Sequence, residues 1–349
     1  MNVGRIARIS SVFLILMLVI GFSVVATGDE LLSPQLALSA TIGAASFDSG
    51  IPGVESQAWR LWVKQLNLDR EAKGDNIILV TDDYQTGGTD LLDTSALDLG
   101  DRNGNEIGTA FKDSEREYEL RFFSLPEWYV SPTMPYSEDG HVVWFEDPYG
   151  DTEADFDFSA DLRSKMKGAE LNARWPTKGG TWRFLAGVGK LSLEEDLAIW
   201  GEMSGEGDYY ADYNIGAKNS LWGGQVGIEA PIVKSKRLSL NCWAKYGFYR
   251  NKISTYASIW TGDEEDTFDE YRVESNGHKF CSLREIGVEA RYSWSPTQVV
   301  SIGSQVMLLD GLATAPAQVP VSDPVGGTAS IATGQVVYKG TYASYTFKW

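Results

Sequence analysis

The feature that most constrains this chain is a period-two alternation of apolar and polar residues over Arg237–Arg250. In an extended strand successive side chains point to opposite faces, so this period sorts them into one apolar and one polar surface. Leu238, Leu240, Cys242, Ala244, Tyr246 and Phe248 hold the even positions, with Arg237, Ser239, Asn241, Lys245 and Gly247 between them. The pattern returns over Glu285–Trp294 and over Asn219–Ala230, where Trp222, Val226, Ile228 and Ala230 share one parity. Further strands are expected at Ala169–Trp175, Thr181–Leu193, Val299–Leu309 and Gln335–Trp349, and in the first half at Ala58–Leu68, Asn76–Asp82, Glu106–Lys112, Glu115–Ser124 and Asp155–Arg163. The expected fold is all-β: an antiparallel transmembrane β-barrel of about 12 strands, within a range of about 10 to 14.

Beyond its first 26 residues the sequence has no apolar run of the ~18 residues or more that mark a membrane-spanning helix. Met1–Ala26 sets Arg5 and Arg8 before the apolar run Val12–Val25 and ends on Val24-Val25-Ala26, the layout of a secretory signal cleaved near Ala26-Thr27. Residues 27–53 read as a flexible leader, because 31–53 is rich in small residues, and 54–349 as a single barrel domain. Connection lengths alternate. Short turns are expected at Pro176–Gly180, Pro231–Lys236 and Ser295–Thr297, and long polar loops at Glu194–Lys218, Asn251–Lys279 and Asp310–Thr333. Outer-membrane barrels have short periplasmic turns and longer external loops. The segment Leu125–Ala154 fits no strand and is expected to be an excursion, a plug or a flap.

The sequence ends with Tyr345, Phe347 and Trp349 on one parity, separated by Thr346 and Lys348. A last strand must pair with the first, since lipid offers an open sheet edge no hydrogen-bond partner. The aromatic terminal stripe resembles the signal read by barrel assembly machinery. Trp182, Trp222, Tyr246, Phe248, Tyr292 and Trp294 fall on the parities expected to face lipid, as interfacial girdles do.

The polar parities carry Glu170, Arg174, Arg183, Glu229, Lys245, Glu285, Glu289 and Arg291. Projected into a lumen, these charges either line a narrow aqueous channel or pair with one another and close it. The net charge of −18 lacks the Lys and Arg clusters that a nucleic-acid partner demands. Acidic residues gather at Glu146–Asp157 and Asp263–Glu270, which read as solvated loops. Adjacent carboxylates such as Glu194-Glu195 and Glu264-Glu265 point apart on an extended chain and make no acid–base pair. His141 and His278 have no nucleophile context and no G-x-S-x-G segment is present, so no catalytic residue and no enzymatic activity is expected. Asp98–Asn105 is oxygen-rich but lacks a full calcium ligand set and reads as a tight turn. Two cysteines and two histidines, far apart, give no metal site, and no cofactor is expected. Cys242 and Cys281 leave one disulfide open as an alternative to two thiols.

The stretches AELNARWP, WRFLAGVGKLSLEEDL, AKNSLWGGQVGIEA, AKYGFYRNK and LDGLATAPAQV, spanning Ala169–Val319, resemble the outer-membrane β-barrel family of planctomycete bacteria known as BBP-type proteins. WRLWVKQLNLDREAKG and DTSALDLG are similar, more loosely, to the family's opening. The resemblance implies an outer-membrane location in a Gram-negative-type envelope and carries no catalytic residues. The expected function is a porin-like passive channel for small solutes or a structural envelope component, with outer-membrane lipid and the assembly machinery as partners. The alternatives are a secreted or surface all-β adhesion module, whose mark would be two packed sheets with polar outer faces, and a barrel enzyme acting on lipid or cell wall.

Overall fold

The alternating segments fold as the pattern requires. The computed structural model describes residues 58–73, 78–81, 90–93, 97, 99–113, 116–131, 141–142, 155–177, 182–204, 209–263, 268–324 and 326–349. The expected signal and leader lie outside the described residues, as do 132–140 and 143–154.

The chain runs through β1 (Ala58–Lys73), the short strands β2 (Ile78–Thr81) and β3 (Asp90–Asp93), then β4 (Asp101–Asp113), β5 (Arg116–Val130) and the two-residue β6 (His141–Val142). Long strands follow: β7 (Asp155–Pro176), β8 (Arg183–Ser204), β9 (Tyr209–Lys234), β10 (Leu238–Asp263) and β11 (Phe268–Ser293). After β12 (Gln298–Leu312) come a short helix α1 (Ala315–Gln318), a 3-10 turn Val319–Val321, the paired β13 (Ser322–Asp323) and β14 (Thr328–Ala329), and the last strand β15 (Gly334–Lys348). Ten strands close one antiparallel barrel in the order β1-β15-β12-β11-β10-β9-β8-β7-β5-β4. A single closed sheet replaces the two packed sheets that an adhesion sandwich would show.

The strand count is ten rather than twelve, for two reasons. Asp155–Arg163 and Ala169–Trp175 are parts of one strand, β7, so two expected strands make one 22-residue element. The expected strand at Asn76–Asp82 yields only β2, which pairs with β3 and β6 outside the barrel. The long loops expected at Glu194–Lys218 and Asn251–Lys279 are also corrected: β8 to β11 run on through most of both, with β9, β10 and β11 each 26 residues long. Polar residues outward and apolar ones inward look like loop composition only when the alternation is read in its first phase. Leu125–Val130 completes β5, and Asp101–Asn105 opens β4 behind Gly100, at φ 56°, rather than forming a calcium loop or a closed turn.

Closure is made by β15 on β1, from Arg60 opposite Lys348 to Lys73 opposite Gln335. The Trp59 and Trp349 backbones exchange N–H···O bonds of 2.9 and 3.0 Å. Following ladder partners once round the barrel from Leu238 returns to β10 at Arg250, a displacement of twelve residues. Ten strands with that shear tilt by about 40° and close at a backbone radius of about 10 Å.

Polarity inverts along the long strands. In the lower part of β10, Leu238, Tyr246 and Phe248 face out and are about half exposed, while Asn241 and Lys245 are buried inside. Above Asn251 the inward positions become Ile253, Ala257 and Ile259, all buried. β9 does the same, from outward Trp222 and Val226 to inward Ile215 and Tyr213. The outward apolar run Leu238–Phe248 rises about 25 Å at the expected tilt, the height of a barrel's hydrocarbon band.

The upper interior is filled by the segment following β12. At Gly311 the backbone takes φ +90°, and a Cβ there would sit 2.5 Å from the Phe280 carbonyl oxygen, so only glycine makes this inward turn. Asn219 clamps Ala313 by donating to its carbonyl at 2.6 Å and accepting from its N–H at 2.9 Å, and Asn251 donates to the Gly311 carbonyl at 3.2 Å. Glu195, ion-paired with Arg70, accepts from Ser164 and from the Ala315 N–H, both at 3.1 Å. Leu312, Ala313, Ala315 and Val319 join Leu66, Leu68, Trp128, Leu197 and Ile215 in one apolar core.

The cysteines are separate thiols. Cys242 lies opposite Val288 on β11, seven positions from Cys281 and on the other face. Gly311→Ala is expected to cost about 1–3 kcal/mol by strain and contact with the carbonyl. Denaturant unfolding, together with faster protease cleavage within 313–331, measures it.

Candidate functional site

A barrel with a backbone radius of about 10 Å brings inward side chains from opposite walls within reach of each other. At the level of the apolar belt those side chains are charged. Arg60 and Lys64 enter from β1, Glu106 from β4, Glu117, Glu119 and Arg121 from β5, and Glu170 and Arg174 from β7. Arg183 comes from β8, Glu229 from β9, Lys245 from β10, and Glu285, Glu289 and Arg291 from β11. These seven cations and seven carboxylates pair with one another, and Lys348 of β15, opposite Arg60, lines the same cavity as an eighth cation.

Arg121 is the hub. Its Nη2 lies 2.6 Å from Glu170 Oε1 and 3.5 Å from Glu285 Oε2, and its Nη1 lies 3.5 Å from Glu106 Oε2. β5 and β11 are five places apart in a ring of ten, so the Arg121–Glu285 contact crosses the lumen. Lys245 Nζ pairs with Glu170 at 2.8 Å and also with Glu285. Gln225 donates to Glu170 at 2.8 Å and to Asn172 Oδ1 at 2.6 Å, and accepts from the buried Tyr249 hydroxyl at 2.9 Å. A second knot lies nearer the short turns. Arg174 bridges Glu119 at 3.0 Å and Glu229 at 3.8 Å, Arg291 pairs with Glu289 at 2.9 Å and Glu229 at 3.4 Å, and Arg60 holds Glu117 at 2.6 Å. The cavity between them, lined by Arg60, Arg174, Arg183, Glu229, Glu289 and Arg291, measures about 140 Å³. That is room for a few waters at about 30 Å³ each.

Buried charges are tolerated when each has a hydrogen-bonded partner, and removing one partner strands the other. Arg121→Met leaves Glu106, Glu170 and Glu285 short of a cation and is expected to destabilise the barrel by about 3–5 kcal/mol. Adding Glu285→Gln should restore part of that loss. Denaturant titration of both variants checks the ordering.

All eight charged residues expected from the polar parities point inward, and the structure joins them in this network. The expectation missed Arg60, Lys64, Glu106, Glu117, Glu119 and Arg121. The signal was present: Glu117, Glu119 and Arg121 alternate with Tyr118, Leu120 and Phe122, the same polar-in, apolar-out phase as β10. Trp182, Trp222, Tyr246, Phe248, Tyr292 and Trp294 are all exposed on the outer wall, from 42% for Tyr292 to 72% for Trp294.

No protein family matches the chain, and no curated protein does. Solved structures do. The chain is similar to the outer membrane protease OmpT from Escherichia coli, at 10% identity, over 84% of this chain and 96% of that one, with a TM-score of 0.41. It is similar to a FadL homologue from Pseudomonas aeruginosa, at 10% identity over 84% and 90%, with a TM-score of 0.30. A major outer membrane protein from Thermus thermophilus matches at 7% identity over 84% and 100%, with a TM-score of 0.29. At these identities and scores the likeness assigns no activity. The expectation that the chain is not an enzyme is corrected to an open question, since an outer membrane protease stands among the matching barrels beside barrels of other kinds. The missing nucleophile signature is no ground for excluding catalysis when a site can be assembled from several strands.

Proposed function

We propose that this protein is an outer-membrane β-barrel serving the envelope as a structural component with a closed lumen, its extended half-shell of β7 to β11 standing on the outside. The carrying observation is the Arg121–Glu285 contact across the lumen, with apolar residues 312–319 packed above it. A solute moving along the axis would have to break several buried ion pairs and then displace that core. The passive-channel reading has no open path to support it.

The membrane assignment rests on the outer wall. An apolar band about 25 Å tall, with Trp182, Trp294 and Trp349 towards the short turns and Trp222 and Phe248 towards the long connections, matches hydrocarbon flanked by aromatic girdles. Short turns at 235–237 and 294–297 mark the periplasmic end, and the segment 313–333 the external one. The resemblance of Ala169–Val319 to planctomycete BBP-type barrels agrees with this reading. So does the outward stripe of Tyr345, Phe347 and Trp349 on the closing strand, which suits a signal for assembly machinery.

Purified protein inserted into a planar bilayer is expected to show no steady conductance, and ohmic current at neutral pH from the folded barrel would overturn the closed-lumen reading. Val226→Arg, in the middle of the band, is expected to lower stability in lipid vesicles by about 2–4 kcal/mol. Asn276→Arg, outward on the upper part of β11, should leave it unchanged. Equal effects would count against the membrane band.

A further inference from the structure

At the upper edge of the apolar band, the outer wall of β7 to β10 carries a cationic patch that the closed-lumen reading does not use. Two ladder rungs define it. One runs Arg250, Trp222, Lys190, Ala169 across β10, β9, β8 and β7, and the next runs Lys252, Ser220, Ser192, Lys167. All eight side chains face out. Lys167, Lys190, Arg250 and Lys252 are exposed, and none of the four makes an ion pair among the described residues. They surround Trp222, itself 62% exposed. The four strands span about 15 Å and the two rungs lie about 7 Å apart, so lysine and arginine heads can converge over Ser220 and Ser192. Such a cluster is conspicuous in a chain of net charge −18.

The wall just below is shaped as well. Gly224 sits between its ladder neighbours Val188 and Phe248, under Trp222 and above Val226. A Cβ there would meet only the Gly187 carbonyl oxygen, at 3.7 Å, so the wall has a one-residue apolar dent beneath the cationic patch, walled by Val188, Phe248, Trp222 and Val226.

We infer that Lys167, Lys190, Arg250 and Lys252, with Trp222 and the dent at Gly224, form a binding site for an anionic phospholipid of the external leaflet. The cations and serine hydroxyls hold the headgroup phosphate, and an acyl chain lies in the dent. The position fits, because the sloping rungs carry the cations from Lys190, level with Phe248 at the band's upper edge, to Lys252 above it, and a lipid phosphate stands at that boundary. Cations near a membrane surface each add to attraction for anionic lipid. The inference rests on the membrane reading above.

The full chain would be reconstituted in vesicles of phosphatidylcholine alone and of phosphatidylcholine with phosphatidylglycerol, floated on a gradient, extracted in mild detergent and weighed by native mass spectrometry. The wild-type barrel is expected to retain phosphatidylglycerol in preference to phosphatidylcholine. Lys167→Gln/Lys190→Gln/Arg250→Gln/Lys252→Gln should lower that retention by more than about tenfold. Lys234→Gln/Lys236→Gln/Arg237→Gln, at the opposite end of the barrel, should not. Gly224→Leu fills the dent, leaves every cation in place and should also lose the lipid, which tests the site even if the quadruple variant fails to fold. Equal retention by wild type and either site variant overturns the inference, as does full displacement by inorganic phosphate, which would mark a bare-anion site. A chain that floats with neither vesicle overturns the membrane reading and this one together.

Discussion

Backbone hydrogen bonding at the seam between β15 and β1 is the constraint on which the rest of the molecule depends. A sheet that closes satisfies every strand edge at the level of the belt, and the twelve-residue displacement then sets the tilt and radius with no further freedom. At about 10 Å the lumen is too narrow to stay wide open once inward positions carry Arg and Glu, and too wide for small side chains to fill. Long charged side chains that meet across the axis suit that gap. The network around Arg121 follows from closure geometry as much as from the residues themselves.

The second organising fact is the change of phase along β8 to β11. Below Asn251 the barrel is polar inside and apolar outside, and above it the reverse holds. One continuous backbone therefore presents two kinds of surface. Where the outer wall is apolar, ion pairs and hydrogen bonds hold the centre. Where the outer wall is polar, the inside becomes an ordinary apolar core, and the chain supplies residues 312–319 to complete it.

Much of this was legible in the sequence, unevenly. The parity of β9, β10 and β11 could be read directly, and with it eight inward charges on those strands and on β7 and β8, although not Glu195 higher on β8. The extent of the strands could not. Above Asn251 the outward residues Lys252, Ser254, Ser258 and Glu274 resemble loop composition, and only their partners across the ladder show that Ile253, Ala257 and Ile259 face a core. Merging of two segments into β7 was hidden for a similar reason: Ser164, Lys165 and Lys167 read as loop composition, whereas both lysines face outward and Ser164 is buried against Glu195. The inward turn at Gly311 leaves no local mark beyond one glycine, because its need arises from the neighbouring Phe280 carbonyl.

Seven of the inward cations are matched by seven carboxylates, and Lys348 of β15 adds one more cation near the short turns. A membrane potential does work of about 2.3 kcal/mol on each uncompensated elementary charge per 100 mV. In the proposed membrane setting the paired ions would give such a field no net charge to move, and the surplus cation at Lys348 would sit at the short-turn end, outside the paired knot around Arg121.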